Sequence, residues 1–194
     1  MKLFMLDYND VCEDDIRAVR ALFPKRFERA ARFSNKGEGA GVIAAGVLLW
    51  RVLGIKDERD VLFNAEGKPY LPDGPEFSIS HSGGLCVLAV SDGPIGVDIE
   101  KLDESNLIAA PASLAKEELE WIAPAPIERF HLLWTRKESI YKALGGFTDP
   151  RQIPALEERL RNGLCVNSTL LDGRALSVCC REAGGLMPES IIRL

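Results

Sequence analysis

Two rhythms of apolar residues run along the chain, and the places where one gives way to the other outline its elements. From about Asp14 to Ser34, Phe23, Phe27 and Ala30 recur at helical spacing. A second helical stretch runs from about Gly41 to Leu53, and the Gly37-Glu38-Gly39-Ala40-Gly41 turn is expected to open it. The rhythm then shortens. Asn64 to Pro69 reads as a turn, followed by strands at Phe77–Ser80, Leu85–Val90 and Ile95–Glu100. Ser82-Gly83-Gly84 and Ser91-Asp92-Gly93-Pro94 separate these strands tightly, which predicts an antiparallel meander. Helical spacing returns at about Ser113–Ile122 and Ile127–Leu144. Strand-like runs follow at Leu164–Asn167, Ala175–Cys180 and Ser190–Arg193. Helices, meander, helices, strands: the order predicts an α+β protein of two comparable halves, joined near Ile95 to Lys101.

Composition narrows the class. Of the 194 residues, 46% are hydrophobic and 27% charged, proportions of a folded globular chain. A net charge of −5 argues against a broad nucleic-acid footprint. The longest apolar run, Gly41 to Trp50, is far short of a membrane span. Asp7 and Asp10 interrupt any signal-peptide core, so a soluble, cytoplasmic protein is expected. Five cysteines form no C-x-x-C pair, and Cys86, Cys165, Cys179 and Cys180 sit in apolar strand-like runs as small hydrophobes.

Against that background a few polar groups stand out. Lys25, Arg29, Arg32 and Lys36 share one face of the first helical stretch, either as a solvated surface or as an anion site. Asp98 and Glu100 lie at i and i+2 of a strand and so point to one face, while Val97 and Ile99 point to the other. Two such carboxylates are either exposed acids or the ligands of a cation such as Mg²⁺. On the Ile127 helix, Phe130, Leu133, Trp134, Tyr141 and Leu144 form the core stripe. Lys137 falls inside it, which requires either a carboxylate partner or a stem that reaches the edge. Glu138 and Lys142 are i, i+4 neighbours, a helix-stabilising pair or a carboxylate and cation for chemistry. His81 ends a strand before a glycine turn, where its ring could donate to an anion; His131 is expected at the surface. No G-x-S-x-G elbow accompanies Ser80, His81 and Ser82, so a Ser–His hydrolase is set aside.

Four motifs in order carry a resemblance. Gly67-Lys68-Pro69, Phe77-Ser78-Ile79-Ser80-His81-Ser82, Gly96-Val97-Asp98-Ile99-Glu100 and Trp134-Thr135-Arg136-Lys137-Glu138-Ser139-Ile140-Tyr141-Lys142-Ala143 resemble the 4′-phosphopantetheinyl transferases. The similarity is to the surfactin-synthetase-activating type, with two similar halves in one chain. It implies transfer of the phosphopantetheine arm of coenzyme A to a serine hydroxyl of an acyl or peptidyl carrier protein, releasing 3′,5′-ADP. It implies two pseudo-symmetric halves, residues 1–97 for the nucleotide and 98–194 for the metal and catalytic helix, with the site in the cleft between them. Asp98, Glu100 and Glu138 are then the Mg²⁺ ligands, with Mn²⁺ as an alternative ion. Glu138 is the general base, Lys142 contacts the pyrophosphate, and Lys137 orients Glu138 or adds to the positive field. Arg26, Arg29, Lys68, Ser80 and His81 bind coenzyme A, and the protein acts as a monomer without membrane or nucleic acid.

Three departures from the family pattern are visible. Gly39-Ala40-Gly41-Val42 replaces a stretch that commonly holds a nucleotide-binding arginine, Ser78 replaces an asparagine, and the stretch between Lys101 and Ser113 is short. A non-catalytic coenzyme A and carrier-binding protein, or a Mg²⁺-dependent phosphoesterase acting on coenzyme A, are the alternative readings.

Overall fold

The computed structural model of the protein describes residues 1–108, 114–146, 152–181 and 191–194. Its α+β architecture agrees with expectation: five helices among the described residues pack on small, mainly antiparallel sheets. Strand β1 (Lys2–Asp7) buries Leu3, Met5 and Leu6. It has no counterpart among the elements expected from the sequence. Helices α1 (Glu13–Leu22), α2 (Pro24–Ala31) and α3 (Lys36–Leu53) follow. Then come a small hairpin, β2 (Leu62–Phe63) and β3 (Pro69–Tyr70), and the strands β4 (Glu76–Ser82), β5 (Leu85–Ser91) and β6 (Gly96–Lys101). Helices α4 (Lys116–Ile122) and α5 (Pro126–Ala143) lead to β7 (Cys165–Leu171), β8 (Arg174–Cys180) and β9 (Ile191–Arg193). Ser113 and Ser190, expected to begin the fourth helix and the last strand, lie outside the described residues.

Two helical expectations are corrected. The stretch Asp14–Ser34 is two helices, because Pro24 cannot continue α1: it has no N–H, and it pushes Phe23 out of helical geometry (φ −132°, ψ 61°). The basic face is broken accordingly, with Lys36 on a different helix from Lys25 and Arg29. The glycine-rich segment is not a turn either. Asn35 caps α3 by accepting from Gly37 N at 2.9 Å, and Gly37 to Gly41 are helical. Glycine there permits close contact: a Cβ on Gly39 would stand 2.7 Å from Ala30 O.

The meander is also corrected. β4 and β5 form a hairpin through Gly83 and Gly84 (φ +54° and +94°), in a sheet ordered β4-β5-β1-β9. β6 leaves this sheet and pairs antiparallel with β8, in the order β6-β8-β7. The cause is burial on both sides. Ile95, Val97 and Ile99 face a core shared with Leu3, Val87 and Val178, so β6 needs the second sheet while covering the first. β9 returns to the first sheet, parallel to β1, and the 97/98 division falls within β6. α3 covers the outer face of the first sheet with Leu48, against Leu6 and Leu88. α5 covers the second through Leu133 and Ile140, against Val166 and Cys179. Cys86, Cys165, Cys179 and Cys180 are buried and reduced, as expected.

Candidate active site

The site begins with a missing side chain. A Cβ on Gly96 would lie 1.9 Å from Ser139 O and 2.6 Å from Ala143 N, so glycine lets β6 meet the backbone of α5. That approach brings Asp98 beneath Lys142. Asp98 is buried; its Oδ1 accepts from Lys142 Nζ at 2.6 Å and from Ser80 Oγ at 2.7 Å. Lys142 Nζ also donates to Val97 O at 3.2 Å. The other oxygen, Asp98 Oδ2, is buried without a hydrogen-bond partner among the described residues. An orphaned carboxylate oxygen is costly unless a cation or donor takes it.

The neighbouring acids feel this charge. Burial, then the charge of Asp98, raises Glu138 above the ordinary 4.5, while Lys142 opposes the shift. Glu100 is raised by burial and then by Asp98, against a 2.8 Å hydrogen bond from Ser82 Oγ to its Oε2. The expected trio Asp98, Glu100 and Glu138 therefore shares one electrostatic neighbourhood. No three His, Cys, Asp or Glu side chains among the described residues are close enough together to hold a metal ion as they stand.

His81 lies on the α3 side of β4. Burial lowers its pKa, and the charges of Arg26, Arg29 and Lys142 lower it further. Gly41 makes its seat: a Cβ there would lie 2.5 Å from His81 Nδ1 and 2.5 Å from Tyr8 Oη. Tyr8 thus stands beside His81 where the departure from the family pattern falls. Nothing in the sequence marks it, because the short turn after β1 (Tyr8–Asp10) meets α3 only in the fold. Gly46 plays the same part for Arg26, whose Cδ would be 3.1 Å from an added Cβ. Arg26 and Arg29 also line a cavity of about 440 Å³ with Phe23, Arg59 and Phe63.

Other expected residues sit differently. Ser80 has its hydroxyl on Asp98. Lys68 Nζ donates to Glu76 Oε2 and Ile95 O, each at 3.3 Å. Its own turn reaches the turn that ends α5, since Asn64 Nδ2 donates to Gly145 O at 2.8 Å. Lys137 takes the carboxylate-partner option: its Nζ lies 2.8 Å from Glu118 Oε1, and both side chains are buried. Glu118, which carries no signature in the sequence, also caps α4 by accepting from Ala115 N at 2.9 Å. His131 is buried instead of surface-facing. Its Nδ1 bonds Ile127 O at 2.8 Å, and its Nε2 receives the Asp103 amide at 3.3 Å.

Residues 94–175 match the model of the 4′-phosphopantetheinyl transferase superfamily, a stretch that spans β6, α4, α5 and β7. 4′-Phosphopantetheinyl transferase AcpT of Salmonella typhi is 33% identical over 163 residues, 79% of this chain and 83% of its own length. 4′-Phosphopantetheinyl transferase Sfp of Bacillus subtilis (strain 168) is 33% identical over 144 residues, 69% of this chain but only 64% of the relative. The gsp transferase of Aneurinibacillus migulanus is 37% identical over 103 residues, 50% of this chain and 43% of its own length. The chain belongs to the 4′-phosphopantetheinyl transferase superfamily, and its similarity to Sfp, gsp and AcpT bears out the resemblance read from the four motifs.

Proposed function

We propose that this protein transfers the 4′-phosphopantetheine arm of coenzyme A to a serine of an acyl or peptidyl carrier protein. The observation that carries the reading is the α5–β6 junction, where Lys142 and an orphaned Asp98 oxygen meet two carboxylates of raised pKa. Family membership supports the same reaction.

The carrier serine oxygen forms a new bond to the phosphorus that bears the pantetheine arm. The bond from that phosphorus to the bridging oxygen breaks, and its electron pair leaves with 3′,5′-ADP. Glu138 takes the serine proton; its raised pKa makes it a better base than an exposed carboxylate. Lys142 places a positive charge next to Asp98 and the diphosphate. Lys137, locked to Glu118, is assigned to holding α5 in rotation so that Glu138 and Lys142 face β6. His81, with Arg26 and Arg29, takes a phosphate of coenzyme A; Lys68 lies at the nucleotide end.

Mg²⁺ fits the donor set. Asp98, Glu100 and Glu138 offer hard oxygens, and buried Asp98 Oδ2 wants a cation. Bound there, the ion supplies neutralisation of diphosphate charge. The rest of the reading is a monomer acting in the cytoplasm, with residues 1–97 and 98–194 as its halves and the cleft between them as the site. A net charge of −5 supports partners other than nucleic acid, and no helix among the described residues is long and apolar enough to cross a membrane.

Intact-mass spectrometry of an apo carrier protein with this protein, coenzyme A and Mg²⁺ tests the proposal. The expected result is a gain of one phosphopantetheine arm, lost with Asp98→Ala and with EDTA. Free 3′,5′-ADP without a modified carrier would indicate a phosphoesterase. No change in either, across fatty-acid and peptide-synthetase carriers, would leave a binding protein.

A further inference from the structure

β4 and β6 are edge strands of different sheets that run side by side without a backbone ladder between them. Three serines at alternate positions of β4 join them. Ser78 Oγ accepts from Val97 N at 3.0 Å, and Ser80 Oγ donates to Asp98 Oδ1 at 2.7 Å. Ser82 Oγ does both: it accepts from Lys101 N at 3.0 Å and donates to Glu100 Oε2 at 2.8 Å. Alternation in a strand puts all three hydroxyls on one face, so the motif that reads as a phosphate-binding signature is also a row of side-chain bonds between two sheets.

The geometry points to Ser82 as a positioning residue that holds Glu100 for its cation, an inference that rests on the reading of Asp98, Glu100 and Glu138 as metal ligands. A hydroxyl has a single proton. The Lys101 amide approaches one lone pair of Ser82, so the proton is directed to the carboxylate and the direction of the bond is set by backbone. The backbone itself is held. Gly83, at φ +54°, sits where a Cβ would come within 2.6 Å of Lys101 Cβ, and its carbonyl accepts from Arg174 Nη2. Ser82 is thus clamped to the residue after Glu100 from two sides. Ser78 offers a natural contrast, because it bonds the same strand but touches no carboxylate.

Mn²⁺ binding by the full chain in the presence of coenzyme A, followed by electron paramagnetic resonance without any carrier protein, tests the inference. Ser82→Ala is expected to weaken Mn²⁺ about 10–100-fold, the usual loss when the group that orients a metal ligand is removed. Its KM for coenzyme A should stay within about twofold, and Ser82→Thr should restore Mn²⁺ affinity by returning the hydroxyl. Ser78→Ala should lower thermal stability and leave Mn²⁺ affinity within about twofold, a split that loosening of the strands alone would not produce. Unchanged Mn²⁺ affinity in Ser82→Ala overturns the inference, as does an equal loss in Ser78→Ala. If the unsubstituted protein neither binds Mn²⁺ nor modifies a carrier, the proposed function fails first and takes this inference with it. Carrier modification that persists while Ser82→Ala behaves as the parent refutes the positioning role alone.

Discussion

The two sides of α5 each hold a lysine–carboxylate pair, and the pairs differ in what they leave unsatisfied. On the side facing α4, Lys137 and Glu118 meet at 2.8 Å, and the other Glu118 oxygen caps the helix. Both glutamate oxygens are satisfied and both side chains are sealed from water. On the side facing β6, Lys142 and Asp98 meet at 2.6 Å, the lysine is a quarter exposed, and Asp98 Oδ2 has no partner among the described residues. The chemistry is the same and the surroundings differ. A pair with every oxygen engaged holds structure, whereas one left incomplete at the edge of solvent is poised to accept a ligand.

Three substitutions separate the two sides, from the largest expected effect to the smallest. Lys137→Met leaves the Glu118 carboxylate buried without its cation, and should cost about 3–5 kcal/mol in a denaturant titration. Adding Glu118→Leu should return most of that loss and restore turnover to within about threefold of the parent, since a well-packed apolar pair can replace a buried ionic one. A rescued fold without turnover would make Lys137 catalytic. Lys142→Met should cost less, about 1–3 kcal/mol, because Ser80 still donates to Asp98 Oδ1 when the lysine is gone. Its kcat for carrier modification should fall about 10²–10³-fold, the scale of losing one preorganised charge-stabilising donor. Equal damage to stability and turnover would remove the contrast between the two sides.

The smallest effect concerns His81, where burial and then Arg26, Arg29 and Lys142 depress the pKa below the ordinary 6.5. The unfolded chain therefore binds the proton more readily. Stability is full above pH 6.5 and is lost as pH falls from there toward the folded value. His81→Gln should remove that dependence, and denaturation of parent and variant at pH 7.5 and at successively lower pH would reveal it. Parallel stability curves would mean that neither burial nor the cations shift this ring.

Much of the chemistry was legible before folding. Asp98 and Glu100 on one strand face, Glu138 and Lys142 one turn apart, and Lys137 inside an apolar stripe all follow from local geometry, since periods of 2.0 and 3.6 fix which neighbours share a face. Those periods hold in β6 and α5, and the structure keeps each residue on its expected element. Pro24 is itself a legible break in the first helix, masked by the apolar stripe of Phe23, Phe27 and Ala30 that runs across it.

Other features had no local signature. Gly96 looks like any strand glycine until α5 lies against it, and Gly41 looks like part of a turn until His81 and Tyr8 fill its empty side. The departure of β6 from the β4–β5 hairpin, the return of β9 to β1 and the pairing of Glu118 with Lys137 join segments far apart in the chain. What the sequence by itself determined is which groups are presented together on each strand and helix, because backbone geometry decides that within a few residues. Which groups from different elements meet, and which oxygen is left without a partner, only the tertiary structure decided, because burial and close packing act through space without regard to chain order.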